Sequence, residues 1–222
     1  MRNGLLDLRT RLRRFAWQSR WCGRYTRRVL EPQHRLSPVA HRYRVAPKAD
    51  VLDVGCGDGL LAQRLSATSR SVTAIEPDPA AVQRATERLA AHHNVSIEDS
   101  DFGRYQLGGR RFDLITFVAS LHHMDLRSAL TKARGMLTPT GEIAVVGLSA
   151  NKSLSDWAWA AACVPAARIG SRLHRETRDI GVVVTNPKEN LWEIRRTVAD
   201  VLPGASVRRA LYYRYLMRWA NG

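Results

Sequence analysis

Three glycines, Gly55, Gly57 and Gly59, alternate within "VLDVGCGDG" (residues 51–59), with Asp53 and Asp58 around them and Cys56 inside. Glycines in a turn after an apolar run let backbone N–H groups approach a ligand closely. Carboxylates at that turn repel a phosphate and attract a ligand carrying positive charge. Glu76 stands 21 residues after Gly55, where an acid accepts hydrogen bonds from ribose hydroxyls. Asp101 and Phe102 follow a third apolar run, so an acid there can accept from an adenine amino group and a large side chain can cover the ring. "SLHHMD" adds His122 and His123, imidazoles able to take a proton near neutral pH.

These residues need rigid supports. Residues 51–55 read as a buried strand and 59–67 as a helix opening at the glycine turn. Residues 71–76 read as a second strand, and 78–92 as a helix with Asp78 as N-cap and Pro79 at its first position. Strands at 94–98 and 112–118, a helix at 126–137, a turn at "TPTG" and a strand at 142–148 continue the alternation. Strands alternating with helices predict a doubly wound, Rossmann-like α/β fold. We expect seven strands, mostly parallel, with an antiparallel C-terminal edge from the alternating "SVRRALYYRYLMRW". Residues 1–47, with Leu5, Leu8, Leu12 and Phe15 at helical spacing, are expected to form an N-terminal helical cap on the domain at 48–222. Residues 151–185 are expected to form a helical insertion over the acceptor site, bringing Trp157 and Trp159 toward it. Tyr25, His34, His41 and Tyr212 are further candidates to border the ligands.

A dinucleotide site would want G-x-G-x-x-G, but the third glycine comes at 59, position 60 is Leu, and Asp58 would face the pyrophosphate. S-adenosylmethionine suits the loop better: its ammonium and sulfonium attract carboxylates, and its carboxylate can use loop N–H groups and a helix N-terminus. The chain resembles a class I S-adenosylmethionine-dependent methyltransferase over about residues 48–148. "VLDVGCGDG", "AIEPD", "DSDF" and "FDLITFVASLHHM" are similar to that superfamily's first four motifs. The resemblance implies that Asp53, Gly55, Cys56 and Gly57 surround the methionine part. It implies Glu76 with Pro77 at the ribose, Asp101 with Phe102 at the adenine, and Val118 with Ala119 lining the cofactor. The product would be S-adenosylhomocysteine. The flanks, with "RVLEPQHR" and "LYYRYLMRW", resemble a group of bacterial small-molecule-type methyltransferases, a resemblance that does not fix the acceptor; a small organic acceptor is expected.

Charge leaves other readings in view. The chain carries +15, with 13 Lys+Arg against 2 acids in residues 1–48, 10 against 12 in 49–150, and 12 against 6 in 151–222. Basic flanks suit solvated faces, an RNA-methylating enzyme, or an interaction protein at an anionic membrane surface. "VASLHHM" lacks the Asn/Asp-Pro-Pro-aromatic stretch of amino-methylating nucleic-acid enzymes, so no specific nucleic acid is expected. Three cysteines without CxxC spacing suggest neither a disulfide framework nor a metal site. His92 and His93, at a helix end, read as favourable dipole placement, and Cys163 as core packing. No run is long and apolar enough to span a bilayer, and a cytoplasmic location is expected. The oligomeric state stays open.

Overall fold

The computed structural model describes residues 48–106, 108–154, 156–159, 161–163, 187–210 and 213–222. Its strands bury consecutive residues on opposite faces, as a sheet covered on both sides demands. In β1 (Asp50–Val54), Leu52 and Val54 enter one core while Val51 enters the other; in β4 (Phe112–Val118), Ile115 and Phe117 face one core and Leu114 the other. Helices α1 (Leu60–Ser66) and α2 (Pro79–Leu89) cover the second core. Helices α3 (Leu126–Met136) and α4 (Leu191–Val201) cover the first.

Local chemistry fixes where these helices start. Gly59 opens α1 in the left-handed conformation, and Asp78 caps α2 by accepting from Ala80 N at 3.1 Å ahead of Pro79. Asp125 caps α3 by accepting from Ser128 N at 2.8 Å, and α4 begins with a reciprocal Asn190–Glu193 capping box.

With β2 (Ser71–Glu76), β3 (Val95–Asp99), β5 (Leu137–Leu148), β6 (Ser206–Arg209) and β7 (Arg214–Ala220), the strands form one seven-stranded sheet in the order β3-β2-β1-β4-β5-β7-β6. The first five are parallel; β7 pairs antiparallel with both β5 and β6. The expected antiparallel edge is therefore a hairpin, with the last strand inserted between β5 and the edge strand β6. "TPTG" is not a turn ahead of a strand. While β4 advances from Phe112 to Leu114, β5 advances from Leu137 to Glu142, so 138–141 are an excursion inside β5. Chain order reverses between β1 and β4, the switch point where sheets of this kind bind ligands at the carboxyl ends of their strands.

The expected cap at 1–47, with Tyr25, His34 and His41, lies outside the described residues, as do Tyr212 and most of the insertion at 151–185. In the described part of that insertion, Asp156 pairs with Arg209 of β6, and Trp159 Nε1 donates to Ala210 O at 3.2 Å. Trp159 thus ties the insertion to the hairpin, whereas Trp157 is 62% exposed.

Opposite Gly147, the ring of Tyr215 lies so close that a β-carbon would stand 2.2 Å from its Cζ. Gly147→Ala should lower the unfolding free energy by about 1–3 kcal/mol through overpacking, read as a lower urea midpoint at unchanged m-value. An unchanged midpoint would show that β7 yields freely there.

Candidate active site

Each glycine of the loop answers a different constraint. A β-carbon on Gly55 (φ +71°) would stand 2.4 Å from Ser120 Cβ, and one on Gly59 (φ +78°) 2.7 Å from Leu89 Cδ1. Those two permit close packing. At Gly57 (φ +56°), among the described residues, no atom beyond its chain neighbours lies within 4 Å of the β-carbon position, so no described side chain fills that side of the loop. Glu76, at the end of β2, holds the loop from beside it: Oε2 accepts from Gly57 N at 2.9 Å and Oε1 from Asp78 N at 3.1 Å. Two oxygens carry about four acceptor sites, so Glu76 keeps capacity for a ligand's hydroxyls. Pro77 follows it and Cys56 is buried within the loop. Burial, with Asp53 and Glu76 nearby, pushes the Cys56 thiol well up, which makes it a packing group and not a nucleophile.

The two acids flanking this loop part company. Asp53 is 1% exposed; Oδ1 accepts from Thr116 Oγ1 at 2.7 Å, and the buried Oδ2 has no partner among the described residues. Burial raises its pKa to about 6; the Thr116 hydrogen bond opposes the rise and Glu76 adds to it. A buried carboxylate oxygen without a donor calls for a cationic or hydrogen-bonding ligand group. Asp58, expected to face a ligand as well, instead pairs with Arg88 of α2 at 2.7 Å, and Arg88 Nε donates to Asp58 O at 2.8 Å.

Beyond β3, Asp101 Oδ1 accepts from Gly103 N at 2.7 Å, and Asp101 O accepts from Arg104 N and Tyr105 N at 3.0 and 2.9 Å. The result is a single helical turn. Phe102 differs from the expectation that its ring covers a ligand: it is 3% exposed and packs edge-on against Phe117, ring centroids 5.4 Å apart.

At the end of β4, Val118 is half-buried, and Ala119 holds φ +55° with its N–H donating to Val146 O at 2.8 Å. Ser120 Oγ donates to Val54 O at 2.6 Å, joining the ends of β4 and β1. His122 and His123 follow in a 3₁₀ turn (Leu121–His123) with rings tilted at 42° and 4.0 Å between centroids. Burial, then the neighbouring His123, lowers the His122 pKa to about 4, so this imidazole is neutral at pH 7. Its Nδ1 is buried without a partner among the described residues, while His123 is exposed. His92 has a packing role: its ring nitrogens hydrogen-bond Ser66 Oγ at 3.0 Å and Gln63 Nε2 at 3.3 Å. Among the described residues no group of three His, Cys, Asp or Glu could hold a metal ion.

The predicted cofactor-binding residues and the His pair sit at the carboxyl ends of β1–β4, on the last residues of those strands or on the loops that follow them. A groove of about 600 Å³ lined by Arg111, Arg134, Leu137 and Pro139 lies at the amino ends of β4 and β5, away from them. Thr116, Ser120 and Arg88 carry no local sequence signal, because their partners lie 30 to 66 residues away.

A doubly wound sheet with a glycine turn after β1 and the acids Glu76 and Asp101 at the carboxyl ends of β2 and β3 defines an α/β protein of Rossmann-like build. Residues 51–141 match the family described as methyltransferase domain. An uncharacterized methyltransferase of Mycobacterium tuberculosis is 37% identical over 172 residues, spanning 76% of this chain and 85% of that protein. A ubiquinone biosynthesis O-methyltransferase of Haemophilus ducreyi is 32% identical over 124 residues, 50% of this chain and 52% of that protein. Among solved structures, a SAM-dependent methyltransferase from Aquifex aeolicus matches at TM-score 0.57 and 19% identity, covering 84% of this chain and 90% of that one. The N-methyltransferase NodS from Bradyrhizobium japonicum, solved with S-adenosyl-l-homocysteine, matches at TM-score 0.53 and 18% identity, covering 78% and 79%. This chain belongs to the class I S-adenosylmethionine-dependent methyltransferases.

Asp53 makes ligand-free stability depend on pH with a defined sign. Its native pKa lies above the ordinary 3.8, so its contribution is fully present below about pH 4 and is lost as pH rises to about 6. In Asp53→Asn that loss is absent. The stability difference should therefore move toward the variant by about 3 kcal/mol between pH 4 and pH 7, measured by urea unfolding. Parallel pH curves for the two proteins would show that Asp53 is not strained by burial.

Proposed function

We propose that this methyltransferase modifies a small organic acceptor. In this reading Asp53, Gly55, Cys56 and Gly57 hold the methionine part of the donor, Glu76 and Pro77 the ribose, and Asp101 with the Phe102 backbone the adenine. The observation that carries the donor assignment is the buried Asp53 oxygen, without a partner among the described residues, beneath a glycine loop where no described side chain fills the space at Gly57. S-adenosylmethionine supplies a methyl carbon activated by its sulfonium, so that an acceptor lone pair can displace a neutral thioether. Val118 and Ala119 line that donor, and the surrounding loops orient the acceptor and exclude water, contributions worth up to about 7–11 kcal/mol in favourable systems.

A hydroxyl or phenol acceptor must also lose a proton. His122 and His123 are the two candidates to receive it: His122 is neutral at pH 7 with its Nδ1 bonded to no described residue, although burial also disfavours the imidazolium it would form, and His123 is exposed. "VASLHHM" after β4 and the likeness to a ubiquinone biosynthesis O-methyltransferase favour a small acceptor over RNA.

Calorimetric titration with S-adenosylhomocysteine should give micromolar binding, weakened about 10- to 100-fold in Glu76→Ala and Asp101→Ala by loss of hydrogen bonds to a charged group. Folded, cofactor-free protein that does not bind would overturn the reading. With radiolabelled donor and a panel of phenols, hydroxylated acids and amines, His122→Ala should lower the rate on hydroxyl acceptors about 100- to 10,000-fold with S-adenosylhomocysteine affinity unchanged. If His123→Ala alone had that effect, the proton would go to His123. Transfer confined to RNA would remove the small-molecule acceptor.

A further inference from the structure

Lys132 stands on α3, 27 to 30 residues from the turn that follows β3, and its ammonium reaches across to that turn's backbone. Nζ donates to Phe102 O at 2.6 Å, Gly103 O at 2.8 Å and Tyr105 O at 2.7 Å. An ammonium has three N–H donors, and all three are spent on main-chain carbonyls. The carbonyls it meets are those that a single helical turn leaves without a following turn to bond them. Asp101 closes the start of the turn through Gly103 N, and Lys132 closes its end. Nζ also lies 5.2 Å from the centroid of the Phe102 ring. Burial lowers the Lys132 pKa while nearby Asp101 opposes that shift, so the acid and the ammonium support each other across the turn. A compact tetrahedral ammonium can serve three converging carbonyls in a way that a planar guanidinium cannot.

We infer that Lys132 is a positioning residue for the adenosine end of the donor site. By fixing the backbone from Asp101 to Tyr105 it sets where the second Asp101 oxygen and the Phe102 backbone stand toward a bound adenine. The inference rests on the reading of Asp101 as the adenine acceptor, and the test separates the two.

Lys132→Met keeps the aliphatic stem and removes the three donors; Lys132→Arg keeps the charge and misplaces the donors. Both are compared with wild type and Asp101→Ala by calorimetric titration with S-adenosylhomocysteine and with adenosine, at a temperature where circular dichroism shows each protein folded. Lys132→Met should weaken both ligands about 10-fold, and Lys132→Arg by a smaller factor. Amide hydrogen exchange should quicken at Arg104 and Tyr105, with Leu52 and Ile115 in the central strands as protected as in wild type. A merely structural lysine would lower the melting temperature and leave ligand affinity and this local exchange pattern unmoved. Should Asp101→Ala weaken binding while Lys132→Met binds as wild type, the role of Lys132 is overturned and the adenine reading stands. Should Asp101→Ala bind as wild type, the adenine reading fails and the inference falls with it. If Lys132→Met does not fold, the comparison rests on Lys132→Arg, for which wild-type affinity and exchange would overturn the proposal.

Discussion

The contact between Gly55 and Ser120 is the constraint on which the site hangs. Where β1 and β4 end side by side, the chain leaving β1 must turn in the left-handed region against Ser120, whose hydroxyl is bonded to Val54 O at 2.6 Å. With a β-carbon 2.4 Å from Ser120 Cβ, Gly55 could not keep that position, and the loop would lift off the sheet edge. The seat of Gly57 beside Glu76, the start of α1 at Gly59 and the approach of the His pair all follow from the closeness of these two strand ends.

Around that junction the protein spends stability on geometry. Ala119 sits at φ +55°, a conformation costing a side-chain-bearing residue about 1 kcal/mol, and Asp53 is buried with one oxygen unanswered among the described residues. The compensation comes from the helices. Arg88 on α2 grips the glycine loop at Asp58, and Lys132 on α3 grips the turn after β3. Two loops of different sequence are thus steadied in the same way, by a cation delivered from a rigid helix to main-chain oxygen.

What was legible in the sequence was local. Strand alternation, the Asp78–Pro79 helix start and the spacing from Gly55 to Glu76 depend on neighbouring residues, and the parallel sheet followed from them. What stayed hidden depends on pairs distant in sequence. Nothing near Asp58 indicates that Arg88 will neutralise it, and nothing near Phe102 says that Phe117 will draw its ring into the core. "TPTG" has turn composition, yet the pairing of Leu137 with Phe112 keeps the strand running on both sides of it. The position of β7 was hidden for the same reason: composition marks an edge strand, but only pairing decides which strand takes the edge.

The engagement of Arg88 and Lys132 with loop backbone has an electrostatic consequence. The chain carries +15, but among the described residues Arg88 and Lys132, the cations that α2 and α3 deliver to these loops, are turned toward protein oxygen, which leaves Asp53 and Glu76 to attract a cation there. The far field and the near field therefore oppose each other. A donor of net positive charge is repelled at long range by the molecule as a whole and attracted only over the last few ångströms. Added salt screens the first interaction more than the second, because the Debye length is about 8 Å at physiological ionic strength. Capture of the donor should then quicken as salt is added, the reverse of ordinary electrostatic steering.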